Sequence, residues 1–306
     1  MDKTSLGDRM KMYEKALSFK TMPLLPVIAR LDGRAFHSWT KGLDKPFDKD
    51  FVAIMQGTTK ELLHLTNATI GYTQSDEITL IFYTDNHDSQ IFFDGKIQKM
   101  VSVLASMCTA AFKLSLDRQI YEHGGPFGKA GFGDIKTESL FSKPPATFDC
   151  RVFQVPTLEE AVNCLIWREQ DAVRNSILSL AQSKFSYDEM QNKSCAILQE
   201  MLFQKHDINW GEDLSSELKR GTYYQRIVSE RPFTTDEINK LPEKHEAHTN
   251  PNLIITRTDI KKTDFPILTK ITNRVDVIFN GAEPQLDKNL TEKDADKVEM
   301  RDNGEN

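Results

Sequence analysis

The chain of 306 residues is 39% hydrophobic and 27% charged with a formal net charge of -6, which suits a soluble globular protein of one large or two modest domains. No apolar run approaches bilayer length, and the opening "MDKTSLGDRM" lacks the apolar core of a secretory signal, so a cytosolic protein is expected. The four cysteines, Cys108, Cys150, Cys164 and Cys195, lie far apart with no C-x-x-C pair, which argues against a zinc site or a disulfide framework.

In chain order, a polar start with helical spacing (Met10, Tyr13, Leu17) leads into "LPVIARL", a buried-looking strand that stops on Asp32-Gly33-Arg34. Asp48 or Asp50 can then cap a helix whose apolar positions Phe51, Ile54, Met55, Leu62, Leu63 and Leu65 recur at helical intervals. "ATIGYTQSDEITLIFY" reads as two short strands around a polar hairpin turn at 74–77. A second long helix is predicted in "GKIQKMVSVLASMCTAAFKLSL", and after a glycine-rich loop "TFDCRVFQV" gives another strand. Strand, helix, strand, strand, helix, strand is the split βαβ order of a ferredoxin-like α+β sheet with both helices on one face.

Beyond Pro156 the pattern turns helical, in "LEEAVNCLIWREQDAVRNSILSLAQS" and "KSCAILQEMLFQK", and "PNLIITRTDI" and "RVDVIFNG" read as late strands. Residues 283–306 hold eight acidic and four basic residues and so carry -4 of the net charge; with few large apolar residues, this tail is expected to be disordered. The expected division is a ferredoxin-like sheet domain over 1–156, a helical and C-terminal region over 157–282 that packs on it, and the tail.

In that topology Asp32 ends the first strand close to the hairpin turn bearing Asp76 and Glu77. Carboxylates gathered at one sheet edge repel unless a cation offsets them. Magnesium takes oxygen ligands and shares its octahedron with substrate phosphates, and Gly33 has no Cβ to obstruct a triphosphate. "LDG" alone is as well explained by a turn, and "QSDE" by a solvated hairpin tip. Lys45 precedes the first long helix, and Lys96, Lys99 and Ser102 share one side near the start of the second, where a phosphate is well placed; the same spacing also describes a solvated face. "HGGPFGKA" is no P-loop, since His123 and Ala130 stand where Gly and Ser or Thr are needed. In "WREQDAVRNS", Arg168, Asp171, Arg174 and Asn175 form a polar stripe, and "ELKRGTYYQR" adds Lys219, Arg220 and aromatics; together they suit RNA phosphates and unpaired bases, or equally a salt-bridged surface.

"RLDGRAFHSWT", "KPFD", "GYTQSDEITLIF", "GKIQKMVSVLAS", "FDCRV" and "LIWREQDAVRNS", in this order across residues 5 to 226, resemble the tRNA-histidine guanylyltransferase family, which extends RNA in the 3′-to-5′ direction. The resemblance implies that 1–156 is a polymerase- and cyclase-type, palm-like catalytic domain and that the extension over 157–282 packs on the palm and contacts RNA. It implies two magnesium ions on Asp32, Asp76 and the Gly33 carbonyl, a third acidic position at Glu77, and triphosphate contacts from Lys45, Ser75, Lys96 and Lys99. Arg34, Phe36 and His37 lie in the same motif and are carried as nucleotide-binding candidates without an assigned role.

Where eukaryotic members of that family have His-Ile-Asn-Asn, this chain has Val173, Arg174, Asn175 and Ser176. It is therefore more similar to the guanylyltransferase-like branch that repairs tRNA 5′ ends opposite a template. The expected activity is a template-dependent 3′-to-5′ nucleotidyltransferase using ATP and GTP or other NTPs on tRNA, assembled as a homotetramer. The alternatives are addition of a single guanosine to tRNA-His, a nucleotide cyclase, or a non-enzymatic RNA-binding module.

Overall fold

A computed structural model describes residues 5–122, 143–250 and 252–287. The glycine-rich loop that includes His123 and Ala130, and residues 288–306 of the acidic tail, lie outside the described residues.

Six strands form one antiparallel sheet: β1 (Val27–Gly33), β2 (Ile70–Gln74), β3 (Glu77–Phe82), β4 (Phe148–Gln154), β5 (Thr222–Pro232) and β6 (Ile254–Thr263), in the order β4-β1-β3-β2-β5-β6. The principal helices are α1 (Leu6–Ala16), α2 (Lys49–Leu65), α3 (Ile97–Glu122), α4 (Leu158–Gln182), α5 (Cys195–His206) and α6 (Arg274–Asn280). The β4-β1-β3-β2 portion, with α2 and α3 as its crossovers, is the split βαβ palm read from the sequence.

Strand alternation divides the sheet into two faces. Val27, Ala29 and Leu31 of β1 pack with Leu62 and Leu63 of α2 and with Leu104 and Phe112 of α3. Ile28, facing the other way, packs with Ile70, Tyr72 and Ile81 against Ala161, Val162 and Leu165 of α4. Asp48 caps α2, its Oδ1 accepting the Phe51 N–H at 2.9 Å, whereas Leu65, assigned to the buried face, is exposed. Contrary to the sequence reading that no apolar run approaches bilayer length, α3 is long and apolar enough over Ile97–Tyr121 to cross a bilayer by length and composition. Met100, Leu104, Cys108, Phe112, Leu116 and Ile120 are nonetheless buried in the sheet's first core, which makes it a core helix.

The second half departs from expectation in two places. "RVDVIFN" is the helix α6, with adjacent Val277 and Ile278 both buried and Gly281 ending it in the left-handed region at φ 68°; the alternation was fortuitous, and the closing glycine was the better signal. "TYYQRIVSERP" forms β5, which pairs with β2 and β6. The sheet therefore continues beyond residue 156. Of the acidic stretch, residues 283–287 are bound to 270–273, with Gln285 N–H donating to Asn273 Oδ1 at 2.8 Å.

Candidate active site

The end of β1 meets the β2–β3 turn through a backbone bond, the Gly33 N–H donating to the Asp76 carbonyl at 3.1 Å. Ser75 makes the turn in the left-handed region at φ 52°, and its hydroxyl donates to Asp76 Oδ1 at 3.1 Å. Burial, and secondarily the charge of Asp32, pushes the Asp76 carboxyl above its ordinary pKa, against hydrogen bonds that lower it. Asp32 and Asp76 are thus brought together as expected. Strand register adds an acid the sequence reading missed: Asp149, Asp32 and Glu77 lie side by side across β4, β1 and β3, with Arg151 and Arg30 paired two residues behind them.

Glu77 is differently placed from the two aspartates. It forms a short ion pair with Arg168 and lies 3.6 Å from Arg30 Nη2. Burial still raises its pKa, with both guanidiniums pulling it down. Asp32 has Arg151 Nη2 3.5 Å from its Oδ2.

The glycine of the motif answers to the core as well as to the site. A Cβ on Gly33 would stand 2.3 Å from Cδ2 of Phe36. Phe36 is itself buried, its ring centroid 5.1 Å from that of Phe148 and 5.4 Å from that of Trp39. The Phe36 ring is therefore a packing element of the core and is not open to a nucleotide. Arg34 and His37, either side of it, are exposed just beyond β1.

Beside the turn is a cleft of about 400 Å³ whose lining includes Lys45, Gln74, Ser75, Asn175 and Ser176. Lys45 and Ser75, expected to contact triphosphate, share this cleft with Asn175. Lys96 and Lys99 do not join them. Lys96 pairs with Lys20 through an isolated antiparallel backbone bridge, and the neighbouring Ile97 N–H donates to the Phe19 carbonyl at 3.0 Å, near the start of β1. Five residues of β3 separate that end from the acids, roughly 17 Å at strand rise. The two lysines instead line a shallow hollow with Phe92 and Phe93, so within one chain they are apart from the acids.

The expected RNA stripe is largely an internal network. Arg168 is buried, holding Glu77 and also Asp171, the latter at 3.0 Å. Asp171 further accepts from Arg174 at 2.7 Å and from Asn175 at 3.4 Å. Arg220 lies 3.6 Å from buried Glu169, and Lys219 donates to the Gly211 carbonyl at 2.5 Å. Tyr223 and Tyr224, read as candidate base-stacking aromatics, are buried on opposite faces of β5, and Tyr223 donates to Glu169 at 3.0 Å. Of the six residues read as RNA contacts, Arg168 is replaced in that role by its structural pairing, while Arg174 stays exposed.

The donors at the acid end are hard oxygens, and among the described residues no three His, Cys, Asp or Glu side chains are arranged to enclose a metal ion. Two neighbouring carboxylates with an open side fit magnesium, which completes its shell with water and substrate phosphates. Paired acids at the end of a palm sheet beside a lysine-bearing cleft define a nucleotidyltransferase of the palm type.

The comparisons carry this to a family. The tRNAHis guanylyltransferase (Thg1) family profile matches residues 7–156. A bacterial tRNA(His) guanylyltransferase (Thg1)-like protein solved in complex with ATP is 38% identical, the match covering 72% of this chain and 88% of that one at a TM-score of 0.62. Another, in complex with GTP, is 31% identical, covering 87% and 95% at a TM-score of 0.59. A probable tRNA(His) guanylyltransferase of Dictyostelium discoideum is 26% identical over 83% of this chain and 94% of its own. The chain belongs to the tRNA(His) guanylyltransferase family and is a nucleotidyltransferase.

Proposed function

We propose that this chain is a template-dependent 3′-to-5′ nucleotidyltransferase that activates and extends the 5′ end of tRNA with NTPs and magnesium, acting as a homotetramer. The observation that carries the reading is the juxtaposition of Asp32 and Asp76 with the Lys45–Ser75 cleft. The relatives solved with ATP and with GTP support nucleotide substrates for that cleft.

In the reaction proposed, a 5′-monophosphate displaces pyrophosphate from ATP or GTP to give a capped end. The 3′-hydroxyl of an incoming NTP then attacks the capped phosphate and displaces the nucleoside monophosphate. Asp32, Asp76 and the Gly33 carbonyl would hold the divalent ions, which when bound neutralise phosphate charge and lower the pKa of the attacking hydroxyl. Lys45 offsets triphosphate charge from the cleft side, and Ser75 holds the Asp76 carboxylate in place. Arg168 and Arg30 fix Glu77 beside them and oppose the burial that raises its pKa. Positioning and electrostatics do the work of phosphoryl transfer of this kind.

Templated extension is favoured over single-guanosine addition by the segment that replaces His-Ile-Asn-Asn. Val173, at the histidine position, is buried in a core with α5 and Trp210. Ser176 accepts the Trp210 indole N–H at 3.0 Å. A buried valine offers no ring nitrogen for recognition. The names of the family profile and of the Dictyostelium relative favour the other reading. Purified protein, Mg²⁺ and labelled NTPs, given tRNAs lacking one 5′ nucleotide, separate the two. Addition that follows the opposing base supports templated repair; guanosine added only to full-length tRNA-His, whatever the opposing base, overturns it.

A further inference from the structure

The acids divide the catalytic end of the sheet into unlike halves. On the β2 side is the cleft with Lys45, Ser75 and Asn175. On the other side β4 is the edge strand, and its register sets Asp149 opposite Asp32, Arg151 opposite Arg30 and Phe153 opposite Ile28. Residues directly opposite share a face, so Arg151 and Phe153 stand on the face of Asp32. They are open there: Phe153 is 39% exposed and the Arg151 side chain 57%.

Trp167 of α4 borders the same surface and is 49% exposed. The guanidinium of Arg168 lies 4.6 Å from its ring centroid and that of Arg30 lies 5.6 Å away. Both arginines are committed to Glu77. The indole is therefore braced from the protein side while about half of it stays in solvent, which is the form of a stacking platform for a nucleobase. Arg151 supplies a second element. Its Nη2 is 3.5 Å from Asp32 and its Nε 3.6 Å from Asp149, an exposed guanidinium fork of the geometry that suits a phosphate.

A reaction joining an NTP to an RNA 5′ end needs both substrates to meet at the acids. The cleft accommodates one of them. We propose that the open β4–β1 face is the subsite for the 5′-terminal nucleotide of the acceptor RNA, its base stacked on Trp167 and its 5′-phosphate held by Arg151. This rests on the reading that the chain extends RNA 5′ ends. Arg151 offsets the charge of Asp32, and were a divalent cation held there instead, the guanidinium fork would be left for the phosphate. Phe153, two residues along β4, continues the apolar floor away from the acids.

Of the three tryptophans, Trp39 and Trp210 are each only 4% exposed, so Trp167 is the one a base can reach from outside. A 5′-monophosphorylated RNA trinucleotide, titrated in Mg²⁺, should quench the protein's indole emission. The same trinucleotide with a 5′-hydroxyl should bind about tenfold more weakly, as expected for loss of a charge-assisted contact. By anisotropy of a 3′-labelled trinucleotide, Trp167→Ala should raise Kd about tenfold, the loss of one base–aromatic stack, and Trp167→Phe should restore most of the affinity. Arg151→Ala should erase the preference for the 5′-phosphate. In turnover on 5′-truncated tRNA, Trp167→Ala should raise KM for RNA and leave KM for NTP unchanged. Absence of quenching in the parent protein, or an unchanged Kd in both the Ala and Phe variants, overturns the subsite. The two readings fail separately. Templated incorporation with an unaltered RNA KM in Trp167→Ala removes the subsite and keeps the function. Quenching with a 5′-phosphate preference but no incorporation does the reverse.

Discussion

At Asp76, stability and chemistry pull in opposite directions. Burial and the neighbouring Asp32 raise its pKa in the folded protein, and burial raises that of Glu77. In the unfolded chain both titrate in the ordinary carboxylate range. The native state thus holds their protons more tightly, so their contribution to stability is full below that range and is lost as pH rises through the raised values. Asp76→Asn should therefore raise the melting temperature at neutral pH in EDTA, and that margin should shrink as the pH is lowered toward the carboxylate range. The comparison must be between variants, because Glu217 and Glu237, with lowered pKa values, lose stability on acidification. Extension of 5′-truncated tRNA by the same variant should fall by about a thousandfold or more, the scale of removing a principal electrostatic group from a transition state. Scanning fluorimetry across pH and a single-turnover assay check the two halves; an Asn variant that melts below the parent at neutral pH contradicts the first.

At the scale of the element, α4 carries consecutive charges, Arg168 and Glu169, into the interior. Successive helical residues point about 100° apart, so Arg168 reaches Glu77 while Glu169 reaches Tyr223 and Arg220. The helical period in "LEEAVNCLIWREQDAVRNSILSLAQS" marks apolar residues at 158, 161, 162, 165, 166, 173, 177 and 180, of which Ala161, Val162, Leu165, Val173, Ile177 and Leu180 are buried and Leu158 and Ile166 only partly so. It could not mark the two charges, because charged residues go inside only when paired, and these partners are remote in sequence. The same reason hid β5, whose tyrosines look like an exposed recognition patch until β2 and β6 flank them. Arg168→Ala should cost about 3–5 kcal/mol, since it leaves the half-buried Glu77 short of its main partner. Urea titration measures this. Adding Glu77→Gln should recover part of the loss, and equal losses in single and double variants would show that the pair is not the source.

At the scale of the molecule, the palm was legible where its contacts follow from local order: β1, α2, the β2–β3 hairpin, α3 and β4 succeed one another as the split βαβ topology requires. Placing Asp32 near Asp76 needed only that topology. The Asp149 and Arg151 positions needed strand register, which hydrophobic alternation does not fix between distant strands. What lies on the sheet's second face comes from the other half of the chain: Ala161, Val162 and Leu165, then Leu268, Val277 and Ile278, cover Ile28, Ile70, Tyr72 and Ile81, with Tyr223 of β5 beside Tyr72 in the sheet. Residues 7–156, although they match the family profile by themselves, should therefore not form a stable unit. Expressed alone they should aggregate or bind a hydrophobic dye and lack a cooperative urea transition; a sharp transition with native-like protection would contradict this dependence.

The contact between Gly33 and Phe36 has a consequence for how such a sequence can change over generations. Because the phenylalanine ring occupies the space of the missing Cβ, neither position is free to drift while the other stays fixed. Gly33→Ala alone should cost about 1–3 kcal/mol through overpacking, and Phe36→Leu alone should cost through lost volume. The double variant should lose less than the sum, which a thermodynamic cycle by urea unfolding measures; strict additivity would show that the two positions are independent. Inheritance would then link a residue beside the chemistry to one inside the core. The "DGRAF" segment would persist or change as a single unit, with the ring as much as the substrate keeping the glycine in place.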